Sequence, residues 1–200
     1  MLEDIVIPDG NEAEFAEIAR RLGCKKMIFL YNFEGYTEKR AKKIESIRES
    51  HNMPIEEGLI VNPKNMDRAS KLSKTLVAKS SENDRLIIES GKIKIIYGFE
   101  DLQRKDHLHQ RASGLNHVLC DLARKNNVSI GFSYSSLLSK NKILAAISMG
   151  RMLQNIRLCQ KFKTKTNIGS FSSHPYSMRA FHDVQALFKM LGKSILQNQG

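Results

Sequence analysis

Lys26-Met-Ile-Phe-Leu-Tyr31, with the helical pattern of residues 37–50 behind it, decides how the rest of the chain reads. The run is apolar at every position from Met27 to Tyr31, so both of its faces need cover. A strand of that kind followed by a helix is the repeating unit of a parallel α/β architecture. In the helix, Thr37 is the expected N-cap and Ile44 and Ile47 supply the buried stripe.

The same unit recurs in both directions. Upstream, residues 4–7 read as a strand and 12–22 as a helix with Phe15, Ile18, Ala19 and Leu22 on one stripe. Downstream, strands fall at 57–61, 75–79, 93–97, 128–132 and 165–169. Helical patterns occupy a short segment before Thr75, a brief one around 85–89, a stretch capped by Ser113 and reaching about Asn126, then 141–161, 175–178 and 181–191. Seven strand–helix units in 200 residues are too many for most open doubly wound sheets. The expectation is a TIM-barrel-like (β/α) barrel of about seven parallel strands with outer helices, an open sheet being the alternative. Residues 1–192 form one domain without internal repeats, and 193–200 a loose tail.

Charge divides the chain. Its net charge is +11, yet residues 1–99 carry 17 basic and 16 acidic side chains. From 122 to 182 there is no Asp or Glu and there are ten Lys and Arg. Such a segment offers a positive surface to a polyanion and withholds the carboxylates that most hydrolytic mechanisms use. A solvated basic face is the plainer alternative. Cys24, Cys120 and Cys159 lack paired spacing and sit among apolar neighbours, as buried free thiols do. The acidic start Met1-Leu2-Glu3-Asp4 does not read as a signal peptide, and no apolar run reaches a membrane span. The expected location is cytoplasmic.

Catalytic arrangements find little support. Strand ends would place Asn32, Glu34, Asn62, Ser80, Ser81, Glu100, Asp101, Ser133 and the Ser170-Phe-Ser-Ser173 turn at one mouth. A carboxylate pair from Glu34 with Glu100 or Asp101 is one candidate. A metal site from His107, His109 and Asp101 is another, and it defines the alternative reading, a metal-dependent phosphoesterase of a related barrel family. His107-Leu-His109, however, falls in a polar connection after the fifth strand, where structural or phosphate-contact roles fit better. Nucleotide-loop and serine-hydrolase motifs are missing.

The basic half is patterned. In the helix 141–161, Ile143 or Leu144, Ile147, Met149, Met152, Leu153, Ile156 and Cys159 make the apolar stripe. Gln154, Arg157 and Lys161 make a separate polar one that Gly150 extends without bulk. The connection before Ser113 adds Arg104, Lys105, His107, His109 and Arg111. With few stacking aromatics available, backbone and shape recognition of RNA is expected.

Four segments occur in order: Arg111-Ala-Ser-Gly-Leu-Asn-His-Val-Leu-Cys120, Asn127-Val-Ser-Ile-Gly-Phe-Ser133, Gly150-Arg-Met-Leu-Gln-Asn-Ile-Arg-Leu-Cys159 and Ser173-His-Pro-Tyr-Ser-Met-Arg179. Together they resemble the ribonuclease P protein component 3 family, related to the thirty-kilodalton subunit of the eukaryotic enzyme. The likeness runs from Asp4-Ile-Val-Ile-Pro8 to Leu191-Gly192 and is strongest between Ser113 and Arg179. It implies a TIM-barrel-like fold and a non-catalytic subunit of an enzyme whose RNA, with bound Mg²⁺, removes the 5′ leader of precursor tRNA. It also implies pairing with ribonuclease P protein component 2, as a heterotetramer, and contact with other ribonuclease P proteins. The expected RNA contacts are Arg104, Lys105, Arg111, Lys140, Arg151, Arg157, Lys161 and Arg179, with no catalytic or metal-ligating residue and no cofactor held by the chain. Some of these cations are expected to face protein instead, or to be mere solvated charge. Phe171-Ser172 departs from the small residue expected before Pro175-Tyr176.

Overall fold

The computed structural model describes residues 3–36, 38–101, 106 and 111–192, the side chains of 38–42 excepted. The apolar runs form β1 (Glu3–Val6), β2 (Lys26–Asn32), β3 (Ile55–Val61), β4 (Leu76–Lys79), β5 (Ile95–Tyr97), β6 (Ser129–Ser133) and β7 (Thr166–Gly169). They lie in chain order in one sheet, and every neighbouring pair is parallel. Between and after them run α1 (Glu12–Arg21), α2 (Glu38–His51), α3 (Met66–Ala69), α4 (Asp84–Glu89), α5 (His117–Lys125), α6 (Lys142–Phe162) and α7 (Phe181–Met190).

The sheet curls until its ends nearly meet. Just after β7, the Phe171 N–H donates to the Ile5 carbonyl at 2.7 Å and the Ile7 N–H to the Ser172 carbonyl at 2.9 Å. Phe171 sits between those bonds with φ of 46°, a bulge that carries the ladder across the seam. The result is a nearly closed barrel, not the open alternative. Phe171 therefore occupies a backbone conformation that favours glycine, the kind of position where a small residue is expected, and the chain keeps Phe there with its ring buried against Tyr97.

Alternation along the strands separates two cores. Val6, Phe29, Tyr31 and Ile96 point outward into the large cluster beneath the helices. Ile5, Ile28, Leu30, Val77, Ile95, Tyr97 and Phe171 form a distinct cluster inside. The interior of so narrow a barrel has no spare room. A Cβ on Gly58 would meet Leu30 Cδ2 at 2.7 Å, one on Gly131 would meet Tyr97 Cβ at 2.8 Å, and one on Gly169 would meet Ile5 Cβ at 2.9 Å. Glycine on β3, β6 and β7 is thus the counterpart of bulk on β1, β2 and β5. Towards the carboxyl ends of the strands the filling finishes in a stacked pair, Tyr97 on Phe171, with ring centroids 4.4 Å apart.

Two local expectations are corrected. α5 starts at His117, not Ser113; Asn116 is its N-cap, accepting from the Leu119 N–H at 3.0 Å. Ser113 is instead buried and donates to Asn155 Oδ1 at 2.6 Å. The first turns of α6 do not bury their apolar residues: Ile143 is 72% exposed and Leu144 55%. The expected cap Thr37 and the tail 193–200 lie outside the described residues.

Candidate nucleic-acid interface

The polar stripe read from the sequence of α6 is one wall of a groove of about 420 Å³. Arg111, Gly150, Gln154, Arg157 and Lys161 line it, together with Leu153 and Leu158. Helical spacing brings the four α6 positions onto one face. Arg111 arrives from the connection before α5 and is fastened by Gln154, whose Oε1 accepts from the Arg111 N–H and whose Nε2 donates to the Arg111 carbonyl, both at 3.0 Å. The Arg111 guanidinium lies over Gly150. A Cβ there would stand 3.1 Å from Nε and 3.3 Å from Cζ, so the missing side chain is what lets the guanidinium rest on the helix.

Asp106 ties this arrangement from below. It accepts from the Ala112 N–H at 2.8 Å, from Arg111 Nη1 at 3.0 Å and from Arg151 Nε at 3.0 Å. Desolvation pushes its carboxyl up, but those three donors outweigh it and hold the group below its usual range. Arg151 also donates through Nη1 to the Glu100 carbonyl at 3.1 Å. Only 5% of its side chain is exposed. The expectation that Arg151 contacts phosphate is therefore corrected: it is a buried strut between α6 and the segment leading to α5.

The remaining expected contacts divide. Arg157 and Lys161 are exposed in the groove, and Arg111 is half exposed beside its Asp106 partner. Lys140 is exposed ahead of α6, roughly 25 Å from Arg157 along the helix axis at 1.5 Å per residue. Arg179 is exposed outside the groove lining, its Nη1 donating to the Tyr176 and Met178 carbonyls at 2.9 and 2.7 Å. Arg104, Lys105, His107 and His109 lie outside the described residues. Within the acid-free stretch, Arg124 and Lys125 are neutralised from just upstream by Asp121, at 2.7 and 2.8 Å. Among the described residues Lys140, Lys142, Arg157, Lys161, Lys163, Lys165 and Arg179 have no acidic partner. A surface of unpaired cations with a preset, forked arginine suits phosphate oxygens.

Asn155, which the sequence leaves open between a buried orienter and a contact, is a buried orienter; Asp106 and the pairing of Ser113 with Asn155 are the parts of the frame that the sequence does not indicate. A single available signal was the placement of Asn155 and Arg151 on the arc shared with Met152 and Ile156, where polar groups need partners.

The mouth of the barrel is organised differently. Asp4 accepts from the Ser170 and Ile5 N–H groups and from the Tyr134 hydroxyl, yet burial pushes its carboxyl up to about 6. Burial likewise pushes Glu100 up to about 7; its Oε1 accepts from the Ser133 N–H, and its Oε2 has no partner among the described residues. Glu34 stands exposed on the wall of a cleft that neither Glu100 nor Asp101 lines, so the structure does not bring that candidate pair together. No group of three or more His, Cys, Asp and Glu able to hold a metal ion occurs among the described residues. Of the cysteines, Cys120 and Cys159 are buried free thiols and Cys24 is partly buried. No described helix is long and apolar enough to cross a membrane.

No family model matches the chain. Its sequence is similar to ribonuclease P protein component 3 of Methanococcus maripaludis, with 23% identity over 197 residues, 96% of this chain and 84% of that protein. The same component of Methanocaldococcus jannaschii is 23% identical over 187 residues, 90% of this chain and 79% of the relative. That of Methanothermobacter thermautotrophicus is 25% identical over 186 residues, 87% and 73%. Among solved structures, a chain of archaeal ribonuclease P with mature tRNA superposes with a TM-score of 0.79 at 19% identity, covering 94% of this chain and 82% of that one. The superposition shows that the two chains share a fold.

Proposed function

We propose that this homologue of ribonuclease P protein component 3 is a non-catalytic subunit of ribonuclease P, supporting the RNA that removes the 5′ leader of precursor tRNA. The observation that carries the reading is the α6 groove, in which Arg111 is preset by Asp106 and Gln154 beside the unpaired Arg157 and Lys161. A folding RNA brings phosphates together against their repulsion, and fixed cations lower that cost while releasing bound counterions. Mg²⁺ belongs to the RNA in this reading, and the chain acts in the cytoplasm. The protein partner is ribonuclease P protein component 2, in a heterotetramer. Leu138, Ile143, Leu144 and Met149, each more than 40% exposed around the start of α6, supply an apolar surface of the kind a protein partner covers.

Reconstitution tests this directly. Precursor-tRNA cleavage by the RNA with its other proteins is followed across Mg²⁺ concentration, with and without this chain. Omission is expected to raise the Mg²⁺ requirement; an unchanged profile would sink the proposal. Arg157→Ala with Lys161→Ala is expected to flatten the dependence of RNA affinity on log salt by about two units of slope.

A further inference from the structure

The inward positions of β2, β3 and β4 continue past the apolar filling. Two residues beyond Leu30, Ile60 and Val77 come Asn32, Asn62 and Lys79, and all three line a cleft of about 450 Å³ at the carboxyl ends of the strands. Strand ends of a (β/α) barrel gather their side chains at that mouth. The volume falls in the range of small-ligand sites.

The polar groups in this cleft are held but unspent. Asn65 is 95% buried; its Oδ1 accepts from the Asn62 N–H at 2.9 Å, which fixes the amide. Asn62 Oδ1 accepts in turn from the Lys64 and Asn65 N–H groups. Neither Nδ2 donates to a described residue, so two oriented NH₂ groups are left for something else. Asn83 precedes α4 without capping it through its side chain. Lys79 has no hydrogen bond or ion pair among the described residues, though its charge acts on the Asp101 and Glu100 carboxyls; its stem packs at 3.4 Å from where a Gly98 Cβ would be. Phe33 supplies a half-buried aromatic wall, with the Arg68 guanidinium 5.4 Å from its ring centre.

Oriented amide NH₂ groups donate to the acceptor atoms on the edge of a nucleobase; an aromatic wall stacks a base, and an ammonium takes a phosphate. We propose that this cleft binds a single nucleotide, with its base against Phe33 and the asparagine amides and its phosphate at Lys79. The nucleotide is either free or an unpaired residue of an RNA strand, and the site is separate from the α6 groove.

The full chain is titrated with each nucleoside 5′-monophosphate and, in a second arm, with a short single-stranded oligoribonucleotide, while the asparagine side-chain amide resonances are followed by NMR. The Asn62 and Asn65 amides are expected to shift with at least one probe. Lys79→Ala is expected to weaken binding about tenfold, the scale of one charge-assisted hydrogen bond. Asn83→Ala, at an exposed position, is expected to weaken it severalfold without touching the fold. Shifts with monophosphates identify a free nucleotide as ligand; shifts with the oligonucleotide alone, lost in Lys79→Ala, identify a strand residue. Arg157→Ala with Lys161→Ala leaves the monophosphate response unchanged, which separates this site from the groove. Silent amides with every probe, or binding indifferent to both Lys79→Ala and Asn83→Ala, would overturn the proposal.

Discussion

The barrel interior and the α6 groove handle bulk and charge in opposite ways. The interior buries aromatic rings, and at its margin two carboxylates, Asp4 and Glu100, are held where burial raises their affinity for protons. The groove leaves Arg157 and Lys161 in solvent and buries Arg151, whose ion pair with the partly buried Asp106 holds its wall in place. One region is therefore sensitive to volume and to rising pH, the other to loss of a single strut and to salt. A molecule that presents cations to a ligand has to anchor them on something rigid, and here the anchor is the buried Arg151 and its ion pair with Asp106, beside a filled barrel.

The sharpest way to break the interior is at Phe171. Phe171→Ala removes the ring stacked on Tyr97 and leaves a cavity, at an expected cost of about 3 to 5 kcal/mol in urea unfolding. Phe171→Gly loses the same ring but accepts the left-handed backbone, so it is expected to cost about 1 kcal/mol less than the alanine variant. Equal losses in the two variants would show that the bulge stores no backbone strain.

The groove's frame breaks next. Arg151→Met removes the buried member of the pair and leaves the partly buried Asp106 with a charge that only Arg111 and the Ala112 N–H still compensate. The expected loss is about 3 kcal/mol. Adding Asp106→Asn should return part of it, so the double variant is expected to be more stable than the two single losses summed. Additive losses would mean that the pair is not coupled.

Proton linkage contrasts the regions by sign. Glu100 is raised from 4.5 to about 7 in the folded chain, so its contribution is fully present below pH 4.5 and is lost as pH rises through 7. Asp4, raised from 3.8 to about 6, acts in the same direction over a lower window. Asp106 is lowered, so its contribution is present above the ordinary carboxylate range and is lost as pH falls through its folded value. Unfolding free energy is therefore expected to decline between about pH 5 and 7.5, and Glu100→Gln is expected to remove roughly 2 kcal/mol of that decline. A Glu100→Gln profile parallel to that of the unaltered chain would place the titration elsewhere.

How these regions read from sequence differs for a physical reason. The strands and the barrel were legible because a run buried on both faces, such as Met27–Tyr31, has few other homes. The stripe of Gly150, Gln154, Arg157 and Lys161 was legible because surface spacing on a helix is local information. Arg151 was misread although it follows the same rule: Ser148, Arg151, Met152, Asn155, Ile156 and Cys159 are the buried arc of α6. Its charge made it look like surface, and its partner Asp106 stands 45 residues away. The converse holds at Ile143 and Leu144, whose apolar character reads as core but whose side chains are exposed. Hydrophobicity registers a need for cover without saying whether the same chain supplies it.

The smallest expected effect lies where the two regions' rules meet, at Gly150. In a helix interior Gly→Ala favours the folded chain by up to about 1 kcal/mol. Here the added Cβ would lie 3.1 Å from Arg111 Nε, and the guanidinium, the far end of a flexible side chain, has to shift by a few tenths of an ångström. It does so against its bond to Asp106 and the fastening of its backbone by Gln154. Gly150→Ala is therefore expected to leave stability unchanged or raised by about 0.5 kcal/mol, while RNA affinity falls a fewfold at constant salt slope. The slope stays constant because no cation is removed; only the position of one is changed. Unfolding curves and salt-dependent binding on one preparation check both halves, and a gain in stability with unaltered affinity would remove Arg111 from the RNA-contacting set.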